Sequence, residues 1–470
     1  MRLAVPVTLV LALAAVTGWA VLAFDTFERV RGQFFTRSDS IPMLLCLTAC
    51  WLLFAGAIVA LRRTPERIVP WVVLGGTLLI GIAALLGGPN TSTDSARYAW
   101  DGIVQKAGIS PYAHVPVDPA LADLRPSWLF PDPIPTADGT AACRGERIGA
   151  TTELGTGQPL CTALNRPTVP TIYPPLAELW FLLVRAAVPA TAGFLPFQIA
   201  GLVVVLAVTA MLLRALRARA LDPRWAALWG WCPLVASEGI TNSHVDVLGA
   251  ALALAAVLLV SRRRRVWGGI ALGAAIATKL IPVIVAPAML RRRPLPLVVA
   301  SAATFAVLYV PYVLSTGIGV LGYLPGYLSE EGYESGTRFV LIPPIVPGPA
   351  AAFVVAAVLA ILAGLVLGRT DPDTPWVGQT VMVGATLLAV SPRYPWYGLL
   401  LVPFVAMSGR AEWFAVPLAL TTRLFAPPLW TFPIALLLAL IVVLVGSWLR
   451  LPPHRRLPWH RSQTPPLAAT

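Results

Sequence analysis

Several charged residues stand where long apolar runs of this sequence begin or end. A carboxylate at such a boundary can accept a proton from a reacting hydroxyl. Cations in a poorly hydrated site can stabilise the anionic leaving group of a reaction. The candidate acids and cations, with one histidine, are Asp94, Asp101, His244, Asp246, Lys279, Arg338 and Arg393.

Lys279 is the most informative of the cations. Only two of the 35 Lys and Arg residues are lysines, Lys106 and Lys279, and Lys279 interrupts an apolar stretch. An ammonium at membrane depth costs about 2.5–3.5 kcal/mol on insertion scales and normally faces a wet cavity and an anion. We therefore favour a functional role for Lys279 over that of a snorkelling structural lysine.

The elements that must position these residues are membrane helices. With 57% hydrophobic and 12% charged residues, the 470-residue chain cannot cover a soluble globule with polar surface. The formal charge of +13 comes from arginine clusters in short loops, as expected of cytoplasmic loops rather than of a nucleic-acid-binding protein. The fold class is an all-α polytopic membrane protein.

Apolar runs of about 20 residues, with arginine-rich loops on the cytoplasmic side, predict twelve crossings and cytoplasmic termini. Residues 1–450 then form one integral membrane domain that begins with a retained signal-anchor helix, and residues 451–470 form a disordered cytoplasmic tail. The predicted crossings are 3–24, 41–61, 69–87, 194–213, 225–241, 244–260, 295–314, 350–368, 376–391, 397–409, 412–424 and 428–449.

This topology places one large loop, residues 88–173, on the extracytoplasmic side, where we expect an ordered cap. Residues 97–107 are predicted to form an amphipathic helix that ends at Gly108. Cys143 and Cys161 share this loop and can form a disulfide there. The segment 176–190 is expected at the interface or dipping into the membrane.

Residues 266–290 lie between two arginine clusters, so a single crossing would place one cluster outside. We therefore predict a re-entrant pair of half-length helices, broken near Thr278 to Pro282, with Lys279 near its apex.

Each candidate also has a plainer interpretation. Thr93 or Asp94 can cap the helix that follows. His244 and Asp246, two residues apart, do not share a helical face, which argues against two zinc ligands on one helix. The other plain interpretations are lipid snorkelling for Arg338 and Arg393, interfacial aromatics for Trp396 and Tyr397, and solvated loop charges for Glu330 and Glu331.

Five fragments occur in a characteristic order between about residues 90 and 405. They are "DSARYAWDGIVQKAGISPY", "YPPLAELW", "NSHVDVLGA", "WGGIALGAAIATKLIPVIVAPAMLRRR" and "SPRYPWYGLLLVPF". In this order they resemble bacterial polyprenol-phosphate-sugar-dependent glycosyltransferases of the GT-C fold, and most closely glycosyltransferase family 87 and the related actinobacterial mannosyltransferases. The insertion at 118–168 departs from the plainer family pattern.

The resemblance implies a plasma-membrane enzyme that moves a sugar, with mannose favoured, from a polyprenyl-phosphate carrier to a glycan or glycolipid acceptor on the extracytoplasmic side. It implies Asp94 as the catalytic base, with Asp101 as second choice. Lys279, Arg338, Arg393 and His244 are the candidates for the donor phosphate. The substrate-binding candidates in the same fragments are Arg97, Tyr98, Asp246, Tyr173, Trp396 and Tyr397.

Two alternatives remain open. The reaction needs no cofactor, but Asp94, Asp101 and Asp246 together would suit Mg²⁺ or Mn²⁺. A lipid-linked-sugar flippase would also bury charges, although the internal repeats typical of transporters are missing from the sequence.

Overall fold

A computed structural model of the protein describes residues 3–27, 37–136, 141–143, 147–425 and 430–450. The predicted tail, 451–470, lies outside the described residues. The helices are α1 (Ala4–Phe27), α2 (Arg37–Leu61), α3 (Val69–Ala84), α4 (Asp94–Lys106), α5 (Pro175–Ala186), α6 (Leu195–Arg217), α7 (Ala227–Gly230), α8 (Asp246–Ser261), α9 (Arg265–Thr278), α10 (Pro294–Thr316), α11 (Leu324–Glu330), α12 (Ala350–Arg369), α13 (Trp376–Val390), α14 (Val402–Ser408), α15 (Ala415–Phe425) and α16 (Thr431–Leu449).

Seven helical segments in the described ranges are long and apolar enough to cross a membrane. They lie in α1, α2, α3, α6, α10 with α11, α12 and α16. An eighth is added if the bent pair Val235–Thr241 and α8 counts as one span. The protein is therefore a multi-pass membrane protein, but the structure does not reproduce the predicted twelve crossings.

The difference arises at two places: the predicted crossings 225–241 and 244–260 give at most one bent span, and three more fail in the C-terminal third of the chain. The apolar runs predicted to cross at 376–391, 397–409 and 412–424 form α13, α14 and α15, of 15, 7 and 11 residues. Pro395, Pro403 and Gly409 interrupt the run around α14. An apolar run of this length fits a short helix packed inside the protein as well as it fits a crossing, which needs about 20 residues.

The segment predicted as a re-entrant helix pair has one helix. The 14-residue α9 ends at Thr278, Lys279 is extended (φ −160°, ψ 138°), and two 3-10 turns follow at Ile281–Val285 and Pro287–Met289. The predicted break near Thr278 is present, but Pro282 and Pro287 restrict the second half to 3-10 turns rather than an α-helix.

A sharp bend separates the π-helical turn Val235–Thr241 from α8, with an angle of 112° between them. Ser243 lies in the bend in the left-handed region, at φ 48°. The bend packs closely on α6, because a Cβ at Gly201 would lie 2.2 Å from the carbonyl oxygen of Gly239. A larger residue at position 201 would push the bend away from α6. The close contact between α6 and the bend therefore requires glycine at this position.

The 88–173 loop has its own small core. Its helix α4 begins at Asp94, three residues before the predicted start, and packs on α5. Aromatic side chains of the loop, including Tyr98, Trp100 and Phe130, are buried together with Phe181 and Phe197. Two antiparallel hairpins complete the loop: β1 (Ile134–Pro135) with β2 (Ala141–Ala142), and β3 (Gly149–Thr152) with β4 (Pro159–Thr162).

A disulfide joins Cys143 to Cys161, which forms part of β4. The two cysteines are 18 residues apart in sequence, and the cross-link therefore restricts the unfolded loop.

Replacing both Cys143 and Cys161 by serine is expected to lower the free energy of unfolding of the 88–173 loop by about 2–4 kcal/mol, the usual contribution of a disulfide closing a loop of this size. Limited proteolysis across a urea series measures the loss. Reductant should sensitise the wild-type protein to the same degree and leave the double variant unchanged. Equal protease resistance of both proteins would contradict a stabilising role.

Candidate active site

Polar side chains converge where α4, the bend before α8, the end of α9 and residues 391–397 meet. Side-chain amides hold the segment before α4 against the bend. Asn242 Oδ1 accepts hydrogen bonds from the backbone N–H groups of Asn90 and Thr91, both at 2.8 Å. Gln198 Nε2 donates to the carbonyl oxygens of Gly87, at 2.9 Å, and Thr241, at 2.8 Å. These hydrogen bonds hold the segment before Asp94 against the bend, and so place Asp94 near it.

His244 lies at the centre of the cluster and its side chain is fully buried. Its ring stacks on Trp396, with the centroids 3.9 Å apart. Nδ1 lies 3.4 Å from the Tyr98 hydroxyl and 3.6 Å from Asp94 Oδ2. Nε2 lies 3.3 Å from Glu238 Oε2. Both ring nitrogens thus face carboxylates, although we expected His244 to donate to the donor phosphate.

Asp94 is the first residue of α4, where the helix dipole favours a carboxylate. The N-cap is Thr93, and no side-chain bond caps the helix, so Asp94 does not act as a cap. Its Oδ1 accepts a hydrogen bond of 2.7 Å from Asn165 Nδ2. The Asp94 side chain keeps 17% of its surface exposed, whereas His244 beside it has none.

Lys279 and Asp246 form an ion pair at the edge of the cluster, in which the Lys279 side chain is 19% exposed and that of Asp246 is 6% exposed. Lys279 Nζ donates to both carboxylate oxygens of Asp246 at 2.8 Å. The ammonium also lies over the Tyr397 ring, 4.3 Å from its centroid. Lys279 therefore faces an anion, as expected of a lysine at membrane depth, but that anion is a side chain of the protein.

The two candidate arginines differ in their partners. Arg338 is buried and bonds the buried carboxylate of Glu331, so the interpretation of Glu331 as a solvated loop charge is wrong. Arg393 is half-buried and lies close enough to Arg338 to affect it electrostatically. Within the described ranges, Arg393 forms no ion pair or hydrogen bond.

Asp101 and Arg97 lie in a separate cluster inside the 88–173 loop. Arg97 Nε donates to Asp101 Oδ1 at 2.9 Å and to Oδ2 at 3.0 Å. Arg97 Nη1 also bonds the carbonyl oxygen of Val169 at 3.2 Å, which ties α4 to the end of the loop. Both side chains are almost fully buried. Arg97 and Asp101 therefore stabilise the fold of the 88–173 loop in this structure.

The remaining aromatic candidates line the histidine cluster. Tyr173 meets the Tyr98 ring edge to face, with centroids 5.1 Å apart. The Tyr397 hydroxyl lies 3.1 Å from that of Tyr327. Trp396 is stacked between His244 and Tyr394.

A shared cation site at Asp94, Asp101 and Asp246 does not fit these contacts, because Arg97 holds Asp101 and Lys279 holds Asp246. In the described parts of the chain, no three His, Cys, Asp or Glu side chains are arranged to hold a metal ion.

Three residues of the cluster were not predicted from the sequence. Glu238 stands in the apolar stretch "WCPLVASEGI", and a charged residue in such a stretch is the signal that could have identified it. Asn165 and Arg166 gave no signal, since they stand in a polar loop. Arg166 Nε pairs with Glu330 Oε2 at 2.8 Å, which joins the 88–173 loop to α11.

Backbone strain borders the same site. Arg166, Ser243 and Ser391 adopt left-handed φ values of 49°, 48° and 50°. Each lies within two residues of a side chain described above: Asn165, His244 and Arg393. Three other described non-glycine residues with positive φ lie in loops away from the site: Ala220, Arg263 and Arg293. Such strain costs about 1–3 kcal/mol per residue and clusters at functional sites.

The family model for glycosyltransferase family 87 matches residues 171–392. Residues 171–392 belong to glycosyltransferase family 87. This confirms the resemblance seen in the sequence, and the family indicates glycosyltransferase activity. The family 87 region contains Glu238, His244, Asp246, Lys279 and Arg338, whereas Asp94 precedes it. No curated protein and no solved structure matches the chain.

A buried pair of acids, Asp101 of α4 and Glu178 of α5, lies where the 88–173 loop contacts α5. Glu178 Oε1 accepts from Thr171 Oγ1 at 2.6 Å, and Oε2 accepts from Gln105 Nε2 at 2.9 Å. Burial, and next the negative charge of Asp101, raise the pKa of Glu178 well above its usual range.

A raised pKa in the folded state means that folding favours protonated Glu178, so its stabilising effect is present at low pH and is lost as the pH rises through the raised value. Glutamine resembles the protonated acid and does not titrate. Glu178→Gln should therefore make the stability of the protein depend less on pH. Thermal unfolding of the purified protein between about pH 5 and pH 9 measures it. If the melting temperature of Glu178→Gln falls with pH as steeply as that of the wild type, Glu178 is ionised in the folded protein throughout this range.

Proposed function

We propose that the protein transfers a sugar, with mannose favoured, from a polyprenyl-phosphate donor to a hydroxyl group of a glycan or glycolipid acceptor. The reaction takes place on the extracytoplasmic face of the bacterial plasma membrane and inverts the anomeric centre. The family 87 match supports sugar transfer. The observation that carries the proposal is the Asp94 carboxylate, which keeps 17% of its side-chain surface exposed and lies close enough to Lys279 to interact with it electrostatically.

The other acids of the region are less suited to the role of base. Asp246 is held by Lys279, Asp101 is held by Arg97, and Glu238 is 2% exposed. A base must reach within about 2.6–3.2 Å of the acceptor hydroxyl. Asp94 accepts a neutral amide donor from Asn165 and keeps surface open to a substrate.

In the proposed step, the acceptor oxygen attacks the anomeric carbon while its proton moves to the Asp94 carboxylate. The bond between the anomeric carbon and the phosphate oxygen breaks, and the lipid phosphate leaves with the electron pair. One acid suffices for a single inverting displacement, and no cofactor other than the donor substrate takes part.

The departing phosphate needs fixed positive charge in a site of low dielectric. Lys279 and Arg338 already have carboxylate partners that balance their charge, so they are less suited to direct contact with the phosphate. Arg393 has its guanidinium free among the described residues, and it is our first candidate for direct contact with the phosphate.

Membranes containing the protein, supplied with radiolabelled polyprenyl-phosphate mannose, test the function. Label that appears in a larger glycolipid supports transfer. Movement of the intact donor across the membrane without a new linkage supports transport instead.

Asp94→Asn is expected to lower kcat by about 100-fold or more, because a positioned acid–base group contributes about 10²–10⁴-fold to rate. Asp123→Asn, an exposed residue of the same loop, is the matched control and should retain wild-type transfer. Comparable amounts of folded protein in the membrane are checked for both. If Asp94→Asn keeps most of its activity, the base is a different residue.

Arg393→Gln is expected to raise the KM for the polyprenyl-phosphate donor about tenfold or more, since a hydrogen bond to a charged group contributes about 1.5–3 kcal/mol. The KM for the acceptor should change little. Arg369→Gln, at the exposed end of α12, serves as control. A higher acceptor KM with an unchanged donor KM would argue against a phosphate contact.

A further inference from the structure

Glu238 is a buried acid that the proposed reaction does not yet use. It lies in the π-helical turn Val235–Thr241, and such turns are frequent at functional sites. Its Oε1 accepts from Ser237 Oγ at 2.8 Å, and its Oε2 accepts from Thr91 Oγ1 at 3.1 Å. Among the described residues, no lysine or arginine pairs with it, and its one basic neighbour is His244.

The position of Glu238 bears on the tautomer of His244. A neutral imidazole carries one N–H and one lone pair, and the partner of one nitrogen decides which is which. Nε2 is buried and has no aligned hydrogen bond within the described residues, yet Glu238 Oε2 lies 3.3 Å away. A carboxylate without a proton can only accept, so it favours the N–H on Nε2.

The lone pair then falls on Nδ1, on the side of Asp94 and Tyr98. The Tyr98 hydroxyl, at 3.4 Å, can donate to that lone pair. An ionised Asp94 cannot donate, but Asp94 that has just received a proton can. The stacked Trp396 ring fixes the plane of the imidazole. The nearby Asp246, at the start of α8, has its charge balanced by Lys279, which directly follows α9.

We propose that Glu238 is a positioning residue that holds His244 with its proton on Nε2, so that Nδ1 takes over the proton that Asp94 receives from the acceptor. This deepens the proposed function and rests on it. The acceptor proton moves to Asp94 and then to Nδ1, which restores the carboxylate and leaves an imidazolium between two carboxylates. After product release, the proton returns through the partly exposed Asp94 to water.

The first test is kinetic and uses the full chain in membranes with polyprenyl-phosphate mannose. Glu238→Gln removes the charge at nearly constant volume and should lower kcat about 100-fold or more while leaving the donor KM unchanged. Glu238→Asp should recover part of the loss. Glu178→Gln, the same change at a buried glutamate outside the site, should keep wild-type kcat. A wild-type kcat in Glu238→Gln overturns the proposal.

The second test reads the tautomer directly and needs no transfer assay. The chain has four histidines, so ¹⁵N-histidine NMR of the full-length protein is tractable, and the signals lost in His244→Gln assign residue 244. We expect the Nε2–H form in the wild type and a shift toward Nδ1–H in Glu238→Gln. An Nδ1–H form in the wild type, or no change in Glu238→Gln, overturns the positioning role.

The two tests separate failure of the inference from failure of the proposed function. If the tautomer shifts as expected but Asp94→Asn transfers sugar normally, Asp94 is not the base, and the proton transfer to Nδ1 is overturned with it. If Asp94→Asn is inactive but the tautomer does not depend on Glu238, the base is supported and the role of Glu238 is overturned.

Discussion

Charge inside an apolar interior has to be matched, and this constraint organises the protein. Removing an ion from water costs several kcal/mol unless a partner of opposite sign and further hydrogen bonds compensate. Three pairs meet the requirement: Arg338 with Glu331 and Arg97 with Asp101, both buried, and Lys279 with Asp246, in which Lys279 is 19% exposed. Asp94, Glu238 and Arg393 are among the described charged residues that lack such a partner, and they lie around His244 or close to Arg338.

The bend before α8 is the structural device that brings these groups together. A straight helix through this segment would separate Glu238 from His244 by more than a turn on the helix surface, whereas the π-helical turn and the left-handed Ser243 set the ring beside the carboxylate. Asn242 and Gln198 then bind the chain that leads into α4. These hydrogen bonds hold residues 87–91, which precede Asp94, against the bend.

The general location of the site was predictable from sequence, because a charge at the end of an apolar run is expensive and has few structural explanations. The partners were not predictable. Lys279 pairs with Asp246, 33 residues away, and Glu331 proved to be buried with Arg338. Such pairings depend on how the helices pack, and apolar periodicity carries no information about that. The predicted number of crossings was too high for a related reason. Short apolar helices that are buried inside the protein resemble membrane crossings in composition.

Sugar transfer between Asp94, which precedes the family 87 region, and Arg393, which directly follows it, is the proposal on which the rest depends. The most direct measurement is a cryo-EM structure of Asp94→Asn with polyprenyl-phosphate mannose bound. The account predicts the phosphate in contact with Arg393 and the anomeric carbon facing residue 94, with room for an acceptor hydroxyl about 2.6–3.2 Å from that side chain. A donor phosphate bound on the opposite face of the membrane domain, or far from both residues, would contradict it.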